Sequence, residues 1–263
     1  MLESLLDHWP EYLMEALALG IFMVSACLFT AIFEHHASPL NALIPKDVYR
    51  RIFIGLAMGL TAIGLIYSPM GKRSGAHMNP AVTLTFYRLG KIKGFDAIFY
   101  GIFQTLGGYL GVLLTVVLLH SWMADPSVNY AVTIPGPTGT TVAFAAETAI
   151  SFGLMGVVLL FINNPHLARW TGVAAGILIA IYVTLEAPLS GMSMNPSRTL
   201  ASAANAGNYS SLWLYFVAPP FGMLLAAEVY VRLKGVGQTF CAKLYHDTPQ
   251  RCIFCHHLDE IHA

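Results

Sequence analysis

The sequence predicts an all-α membrane protein with six transmembrane helices and two re-entrant half-helices, arranged as an inverted repeat. Composition is the first reason: charged residues make up 11% of the 263-residue chain and hydrophobic residues 56%, whereas ordinary soluble domains are roughly 25% charged. The second reason is a repeated stretch, Ser-Gly-x-x-Met-Asn-Pro-small, which begins at Ser74 and again at Ser190. A formal net charge of +0 and the lack of a basic, aromatic-rich patch argue against a nucleic-acid partner.

Six stretches are long and apolar enough to cross a bilayer, which takes about 20 mostly apolar residues per helix. They lie near residues 11–33, 50–68, 95–119, 141–162, 168–187 and 212–232. Glycines recur inside several of these stretches, and small residues let helices approach closely in lipid. The stretches therefore predict a compact helical bundle.

Each repeated stretch has the features of a helix start. Asparagine is a favoured N-cap, and proline suits the next position because its φ is preset and it has no amide hydrogen. Only short apolar runs follow, at 81–87 and 199–206, and neither can cross a bilayer. Irregular backbone leading into such a half-helix survives at membrane depth only where protein buries it or where it lines a wet cavity.

The two half-helices are predicted to point in opposite directions, because an odd number of crossings separates them. This arrangement is an inverted repeat with halves of about 1–125 and 135–235, and its functional site is expected at the midplane. Residues 1–235 then form one membrane domain, and residues 236–263 form a tail rich in Cys and His.

Two carboxylates occupy matching places in the repeat, Glu15 in the first span and Glu147 in the first span of the second half. Intramembrane carboxylates are costly and usually face the bundle interior with a partner. We expect both to anchor the re-entrant loops by hydrogen bonds, with a proton relay as the alternative. His77 is expected to hydrogen-bond to loop backbone, with pH sensing as the alternative.

The basic residues predict the orientation, because cytoplasmic loops carry an excess of Lys and Arg. Cytoplasmic termini, in a plasma or inner cell membrane, place Lys72, Arg73, Arg88, Lys91, Lys93, Arg169, Arg232, Lys234, Lys243 and Arg251 on the inner side, and Lys46, Arg50, Arg51 and Arg198 on the other.

These residues resemble the aquaporin (major intrinsic protein) family over roughly residues 10–235. The resemblance is carried by the two Asn-Pro stretches, the arginine after the second, the paired glutamates and Gln104. It implies a right-handed six-helix bundle with two half-helices, one pore per subunit and a homotetramer in the lipid bilayer. The pore motifs are Asn79-Pro80-Ala81 and Asn195-Pro196-Ser197. The serine departs from the usual Asn-Pro-Ala, but it is small enough to pack against the opposing proline, so we expect the pore to survive.

A passive mechanism also follows from the residues. Half-helices that meet by their N-termini place two positive dipole ends at mid-membrane. The amides of Asn79 and Asn195 offer donors there, and backbone carbonyls near 74–78 and 190–194 offer acceptors. Water keeps its hydrogen bonds along such a path, while cations and protons meet a positive potential. We expect a water channel that excludes ions and protons, with no enzymatic step and no cofactor.

The resemblance also implies a selectivity constriction formed by Arg198, Met192, Val183 and Gly59. One extra residue before the first motif would replace Gly59 by Met58. These positions lack the Phe and His that narrow strict water channels, which implies a less polar and wider opening.

Other positions indicate the opposite, since Thr199 and Tyr215-Phe216 stand where glycerol channels typically have Asp and Pro-Leu. A broader, aquaglyceroporin-like channel for small neutral solutes of the glycerol type therefore stays open. More distant alternatives are an inverted-repeat secondary transporter and a membrane sensor that works through its tail.

The tail holds a separate set of candidate ligands. Cys252, Cys255 and His256 could bind Zn²⁺, since thiolate and imidazole are its usual ligands. The same Cys-x-x-Cys-His spacing also matches a c-type haem attachment. A disordered, reduced tail is the third interpretation.

Overall fold

The computed structural model describes residues 2–235, 239–246 and 249–255, and within that part of the chain the regular structure is entirely helical. The helices are α1 (Leu2–Glu34), α2 (Pro39–Leu43), α3 (Asp47–Tyr67), α4 (Pro69–Ser74), α5 (Pro80–Arg88), α6 (Gly94–Leu119), α7 (Ser121–Ala124), α8 (Thr140–Ile162), α9 (Thr171–Leu185), α10 (Ala187–Ser190), α11 (Pro196–Ala206) and α12 (Leu212–Lys234). Six of them, α1, α3, α6, α8, α9 and α12, are long and apolar enough to cross a membrane, α9 together with the 3₁₀ turn before it. The predicted all-α membrane fold is confirmed.

Helix α1 begins well before the predicted first span, at Leu2 rather than near residue 11. Hydropathy marks the part of a helix that lies in lipid, not the start of the helix. The polar extension has partners of its own: the His8 Nδ1 lies 2.9 Å from the Asp96 carboxylate, and the Tyr12 hydroxyl donates to the same oxygen at 2.6 Å.

The two halves pack in the same pairwise pattern. Helix α1 packs on α6 in the first half, α8 packs on α12 in the second, and α3 packs on α9 between the halves. The half-helices cross over, because α5 rests on α12 and α11 rests on α6. Each half-helix is therefore held by the last span of the opposite half, which interlocks the two repeats as an inverted repeat requires.

Glycines bring α3 and α9 into backbone contact. A Cβ added at Gly59 would overlap the carbonyl oxygen of Gly176, and one added at Gly176 would meet the carbonyl oxygen of Gly59 at 2.6 Å. Packing of this kind drives helix association in lipid, where water exclusion does not operate. Gly64, also in α3, differs from Gly59 because a Cβ added there would meet nothing within 4 Å.

Gly59→Ala should destabilise the bundle, because the new methyl must push the two backbones apart at a cost of about 1–3 kcal/mol. Gly64→Ala is the matched control and should be neutral or slightly stabilising, since alanine favours helix over glycine by about 1 kcal/mol. Thermal unfolding in detergent, followed by circular dichroism, measures both. Equal midpoints for the two variants would contradict this account of the α3–α9 contact.

Candidate functional site

Both half-helices begin with an asparagine cap. The Asn79 Oδ1 accepts from the amide of Ala81 at 2.8 Å. The Asn195 Oδ1 accepts from the amides of Ser197 and Arg198 at 3.0 and 3.2 Å. The side-chain carbonyl of each asparagine thus caps the half-helix that follows it. The side-chain NH₂ group of each asparagine points away from that helix.

Those amide ends join the two loops tip to tip. The Asn79 Nδ2 donates to the carbonyl of Met194 at 2.6 Å, and the Asn195 Nδ2 donates to the carbonyl of Met78 at 2.7 Å. An amide nitrogen carries two hydrogens, so each asparagine keeps one beyond this reciprocal pair. Both asparagines line the same cavity.

Glu15 holds the first loop from α1. Its carboxylate accepts from the Ser74 hydroxyl at 2.7 Å, and from the backbone amides of His77 and Met78 at 3.1 and 2.6 Å. The Gln104 side chain of α6 donates to the same carboxylate at 2.8 Å. The glutamate has no solvent exposure, and its contacts are those of a loop anchor.

Glu147 repeats this arrangement in the second half. It accepts from the Ser190 hydroxyl at 2.6 Å and from the amides of Ser193 and Met194 at 2.7 and 2.8 Å. Like its counterpart, it is fully buried.

A tyrosine completes each loop anchor, and sequence reasoning missed this role. The Tyr100 hydroxyl donates to the carbonyl of Ser74 at 2.6 Å, and the Tyr215 hydroxyl donates to the carbonyl of Ser190 at 2.5 Å. Tyr100 lies in the third span of the first half and Tyr215 in the third span of the second. Because the two tyrosines occupy matching places in the repeat, the sequence contained a signal that could have predicted this shared role.

The loops need these anchors because their backbone is strained. Left-handed φ values of 49° to 56° occur at the non-glycine residues Ala76, Met78, Met192 and Met194, which follow the left-handed glycines Gly75 and Gly191. Such conformations cost roughly 1–2 kcal/mol per L-residue. The buried hydrogen bonds to the two glutamates offset that cost.

A cavity of about 390 Å³ runs past both loops. Of the predicted site residues, it is lined by His77, Asn79, Val183, Met192, Asn195 and Arg198. Pro80, Ala81, Pro196, Ser197, Glu15 and Glu147 lie behind this wall, outside the cavity lining. The remaining walls are largely apolar, with Phe22, Ile54 and Ile179 among them.

Gly59 does not line the cavity, whereas Met58, the alternative that the sequence left open, does. The reason is the α3–α9 contact, which turns Gly59 toward Gly176. Met58 is 4% exposed and faces the cavity instead.

Ser197, which stands in place of the expected alanine, lies 1% exposed beneath the second loop. Its hydroxyl is 2.6 Å from the Thr105 hydroxyl of α6, which in turn donates to the carbonyl of Gly101 at 2.8 Å. The serine is therefore satisfied within the helix packing and presents nothing polar to the cavity.

Arg198 is positioned by a segment that the sequence did not single out. Its Nη1 donates to the carbonyl of Ala131 at 2.7 Å, in the connection between α7 and α8. The same connection supplies Thr133, whose hydroxyl lies 2.7 Å from that of Thr199. This connection thus forms part of the cavity wall opposite the tail.

His77 bonds to side chain and tail rather than to loop backbone. Its Nε2 lies 2.7 Å from the carbonyl of Ala242 and its Nδ1 lies 2.9 Å from the Thr83 hydroxyl. A carbonyl only accepts, so Nε2 carries the proton and Nδ1 accepts from the threonine.

The tail brings four potential metal ligands together, three thiols and one imidazole. Atoms of Cys241, His246, Cys252 and Cys255 all lie within 4.8 Å of one another. The sulfurs of Cys241 and Cys252 lie 3.5 Å apart, and the hydrogen bond between them lowers the pKa of Cys252. The predicted ligand His256 lies outside the described residues.

Cys241 and His246 were not in the predicted ligand set. The described tail is also folded, since Cys241 and Cys252 are 3% and 5% exposed, so the disordered interpretation does not fit this part.

Glu147→Gln should destabilise the fold by about 1–3 kcal/mol, because a glutamine turns one acceptor oxygen into a donor that faces a loop N–H or O–H. Glu228→Gln is the matched control: Glu228 pairs with Arg88 at 2.7 Å on the surface, where such pairs contribute about 0–1 kcal/mol. Thermal unfolding in detergent measures both variants. A Glu147→Gln midpoint as high as that of the control would show that the loop does not depend on the carboxylate.

Comparison with known proteins agrees with this geometry. The family model described as Major intrinsic protein matches residues 3–230. Aquaporin NIP1-1 of Arabidopsis thaliana is 36% identical over 181 residues, which cover 67% of this chain and 60% of that protein. Aquaporin NIP3-1 of Oryza sativa subsp. japonica is 34% identical over 178 residues, covering 67% and 55%. The match thus spans little more than half the length of these relatives.

The fold also has a solved counterpart. The X-ray structure of the aquaglyceroporin from Plasmodium falciparum superimposes with a TM-score of 0.72 at 23% identity, covering 85% of this chain and 95% of that one. Fold, loop geometry and family model lead to one conclusion: the chain belongs to the aquaporin (major intrinsic protein) family, whose members are multi-pass membrane channels and not enzymes.

Proposed function

We propose that this protein is a passive channel for water and for neutral solutes of about the size of glycerol. The observation that supports passage of both water and glycerol-sized solutes is the mixture of polar and apolar residues in the cavity wall. Arg198 and the apolar side chains of Met58 and Val183 line the same cavity. A polyol has a hydroxyl edge and a hydrocarbon edge, so a wall that combines a hydrogen-bond donor with apolar groups suits it.

The two sequence positions that favoured water alone carry little weight in this geometry. Thr199 is 1% exposed and its hydroxyl lies 2.6 Å from that of Ser193. Tyr215 is fully buried and holds the second loop. Neither residue lines the cavity, so neither limits its width, and the wall residues themselves favour the broader channel.

Ion exclusion is proposed to come from positive potential at two places. The N-termini of α5 and α11 meet at the joined asparagines and direct positive dipole ends toward the cavity. Arg198 adds a full positive charge farther along. A cation that has shed its hydration shell meets unfavourable potential at both places, while a neutral solute does not.

Coupled transport by rocking fits this site less well than passive conduction. The carboxylates beside the loops are Glu15 and Glu147, and each already accepts at least three hydrogen bonds from its loop. Movement of one half against the other would break the reciprocal Asn79–Met194 and Asn195–Met78 bonds, which join the two halves. A fixed pore keeps all of them.

We further propose cytoplasmic termini in a plasma or inner membrane, on the basis of the inner excess of Lys and Arg, and assembly as a homotetramer. The cavity lies inside one chain, so each subunit would conduct by itself. Apolar residues exposed along α6, such as Leu110, Leu114 and Val117, offer surface to lipid or to a second subunit.

Conduction uses no cofactor, and the tail cluster is proposed as a separate zinc site. Three thiol groups and one imidazole form a Cys₃His set, a common structural zinc site. A c-type haem attachment would use Cys252 and Cys255 but has no role for Cys241 and His246, which complete the cluster.

Stopped-flow measurements on proteoliposomes should show water and glycerol permeabilities well above those of empty liposomes, with a low activation energy and no dependence on ion gradients. Val183→Phe should lower glycerol permeability by about tenfold or more while water still passes, since bulk in a tight pocket discriminates at this level. Leu60→Phe is the control, because Leu60 is 66% exposed on the outside of α3. Wild-type glycerol flux equal to that of empty liposomes would reduce the proposal to a water channel.

Arg198→Ala should raise proton or cation leakage while leaving water flux in place, because it removes the fixed charge at the cavity wall. Proton flux is read from a pH dye trapped inside the proteoliposomes under an imposed gradient. Arg88→Ala serves as the control, since Arg88 pairs with Glu228 on the surface. Equal proton leakage in the two variants would assign ion exclusion to the joined half-helices alone.

A further inference from the structure

We propose that zinc in the tail cluster locks the tail across one mouth of the channel, so that zinc loading closes the pore and zinc loss opens it. The locked segment, called the strap, consists of a first limb, residues 239–246, and a second limb, residues 249–255. The proposal rests on the zinc site and the channel function proposed above. It adds that the metal controls conduction.

The first limb crosses the cavity end nearest the tail, called the tail-side mouth. At one side, the amide of Phe240 donates to the Asn163 side chain at the end of α8, at 2.8 Å. At the other side, the Tyr245 ring meets Tyr67 at the end of α3, with centroids 5.1 Å apart, and the Lys72 ammonium lies 5.3 Å from the same ring. The limb therefore bridges helices from the two halves of the repeat.

Between these supports the first limb touches the pore loop itself. The amide of Leu244 donates to the carbonyl of Gly75 at 3.1 Å, and the carbonyl of Ala242 accepts from His77 Nε2 at 2.7 Å. Leu244 is 6% exposed and is the strap residue that lines the cavity. An apolar side chain in this position narrows the opening and offers water no hydrogen bond, as in hydrophobic gates.

The second limb covers the same loop from outside. The Phe254 ring stacks on His77 with centroids 5.6 Å apart and planes 11° apart, and it lies 6.0 Å from the Tyr100 ring. His77 thus contacts both limbs and also lines the cavity. The strap is docked on the residues that form the tail-side mouth, not on a remote surface.

The cluster is what joins the two limbs. Cys241 and His246 come from the first limb, and Cys252 and Cys255 from the second. The sulfur of Cys252 lies 3.5 Å from that of Cys241 and 3.3 Å from that of Cys255. Tetrahedral zinc with Zn–S bonds of about 2.3 Å needs sulfurs about 3.8 Å apart, so a shift of a few tenths of an ångström would seat the ion.

Charge supports a metal at this point. Three thiolates around Zn²⁺ leave one net negative charge. Lys243 is 1% exposed and lies two residues after Cys241. Its ammonium also donates to the carbonyls of Gln250 and Arg251 at 3.2 and 2.8 Å. A buried ammonium next to the site therefore balances the charge and ties the limbs together.

The limbs are too short to form a stable core by themselves. Segments of this size usually need a metal, a disulfide or a partner to fold, and structural zinc sites supply folding free energy directly. Loss of the ion would leave the two limbs joined by the Lys243 hydrogen bonds and held in place by their contacts with the channel. The strap is then expected to leave the mouth, and Leu244 with it.

The test uses the purified full-length chain, reconstituted into proteoliposomes either zinc-loaded or after stripping with a chelator that is then removed. We expect about one zinc per chain by elemental analysis, and a water permeability about tenfold higher in the stripped protein, as for a two-state strap moved from mostly closed to mostly open. Cys252→Ser/Cys255→Ser should bind no zinc and conduct in both conditions. Cys27→Ala is the matched control, because Cys27 is buried in α1, and it should respond to zinc like the wild type.

A second variant separates the effect of the Leu244 side chain at the mouth from the effect of zinc binding. Leu244→Gly should keep its zinc yet conduct when zinc-loaded, since only the occluding side chain is removed. Amide hydrogen exchange of residues 239–246 gives a readout independent of flux, and this exchange should slow when zinc is added.

Zinc binding without any change in hydrogen exchange or in permeability would overturn the proposed gate but retain the zinc site. A flux that responds to reductant and not to chelator would replace zinc by a disulfide lock and overturn the proposal.

The failure of the channel proposal is distinguishable from the failure of the gate. If zinc controls hydrogen exchange but neither the stripped protein nor Leu244→Gly conducts above empty liposomes, the zinc-locked strap is retained and the solute channel is lost. If both conduct and zinc changes neither flux nor exchange, the channel is retained and the strap is rejected.

Discussion

The structure depends on two buried carboxylates that hold irregular backbone inside a membrane. At this depth no bulk water is available, so an N–H of a non-helical loop that faces away from the cavity must find a partner within the protein. Glu15 and Glu147 each provide that partner from a neighbouring helix, accepting from one serine hydroxyl and two loop amides. The left-handed backbone of both loops, and so the position of both half-helices, follows from these hydrogen bonds.

The inverted repeat turns two marginal loops into one rigid centre. Neither loop is complete without the other, because Asn79 donates to the backbone of Met194 and Asn195 to that of Met78. The exchange of half-helices, α5 onto α12 and α11 onto α6, holds the same contact from outside. Such a centre has no soft element that could rock, which is why a fixed pore agrees with the geometry better than alternating access.

The sequence predicts the features that depend on local residue chemistry. It does not predict the features that depend on how distant parts of the chain pack together. The Asn-Pro caps, the short half-helices and the paired glutamates all follow from residue chemistry. The choice between Gly59 and Met58 does not, since one residue along a helix is a rotation of about 100° and the contact with Gly176 determines which residue faces the cavity. Partners across the tail were also out of reach: Cys241 and His246 meet Cys252 and Cys255 only because the tail folds back on itself.

Selectivity and gating can therefore vary independently in this architecture. The loops cannot change much, because their hydrogen bonds are buried and shared between the halves. Met58 and Val183 line the cavity from helices α3 and α9, not from the two loops. Substitutions at these two positions therefore alter which solutes fit without disturbing the hydrogen bonds of the loops. Among the described residues, the strap forms hydrogen bonds to the centre at Gly75 and His77, at the edge of the first loop, so it can seat or leave while the pore behind it stays formed.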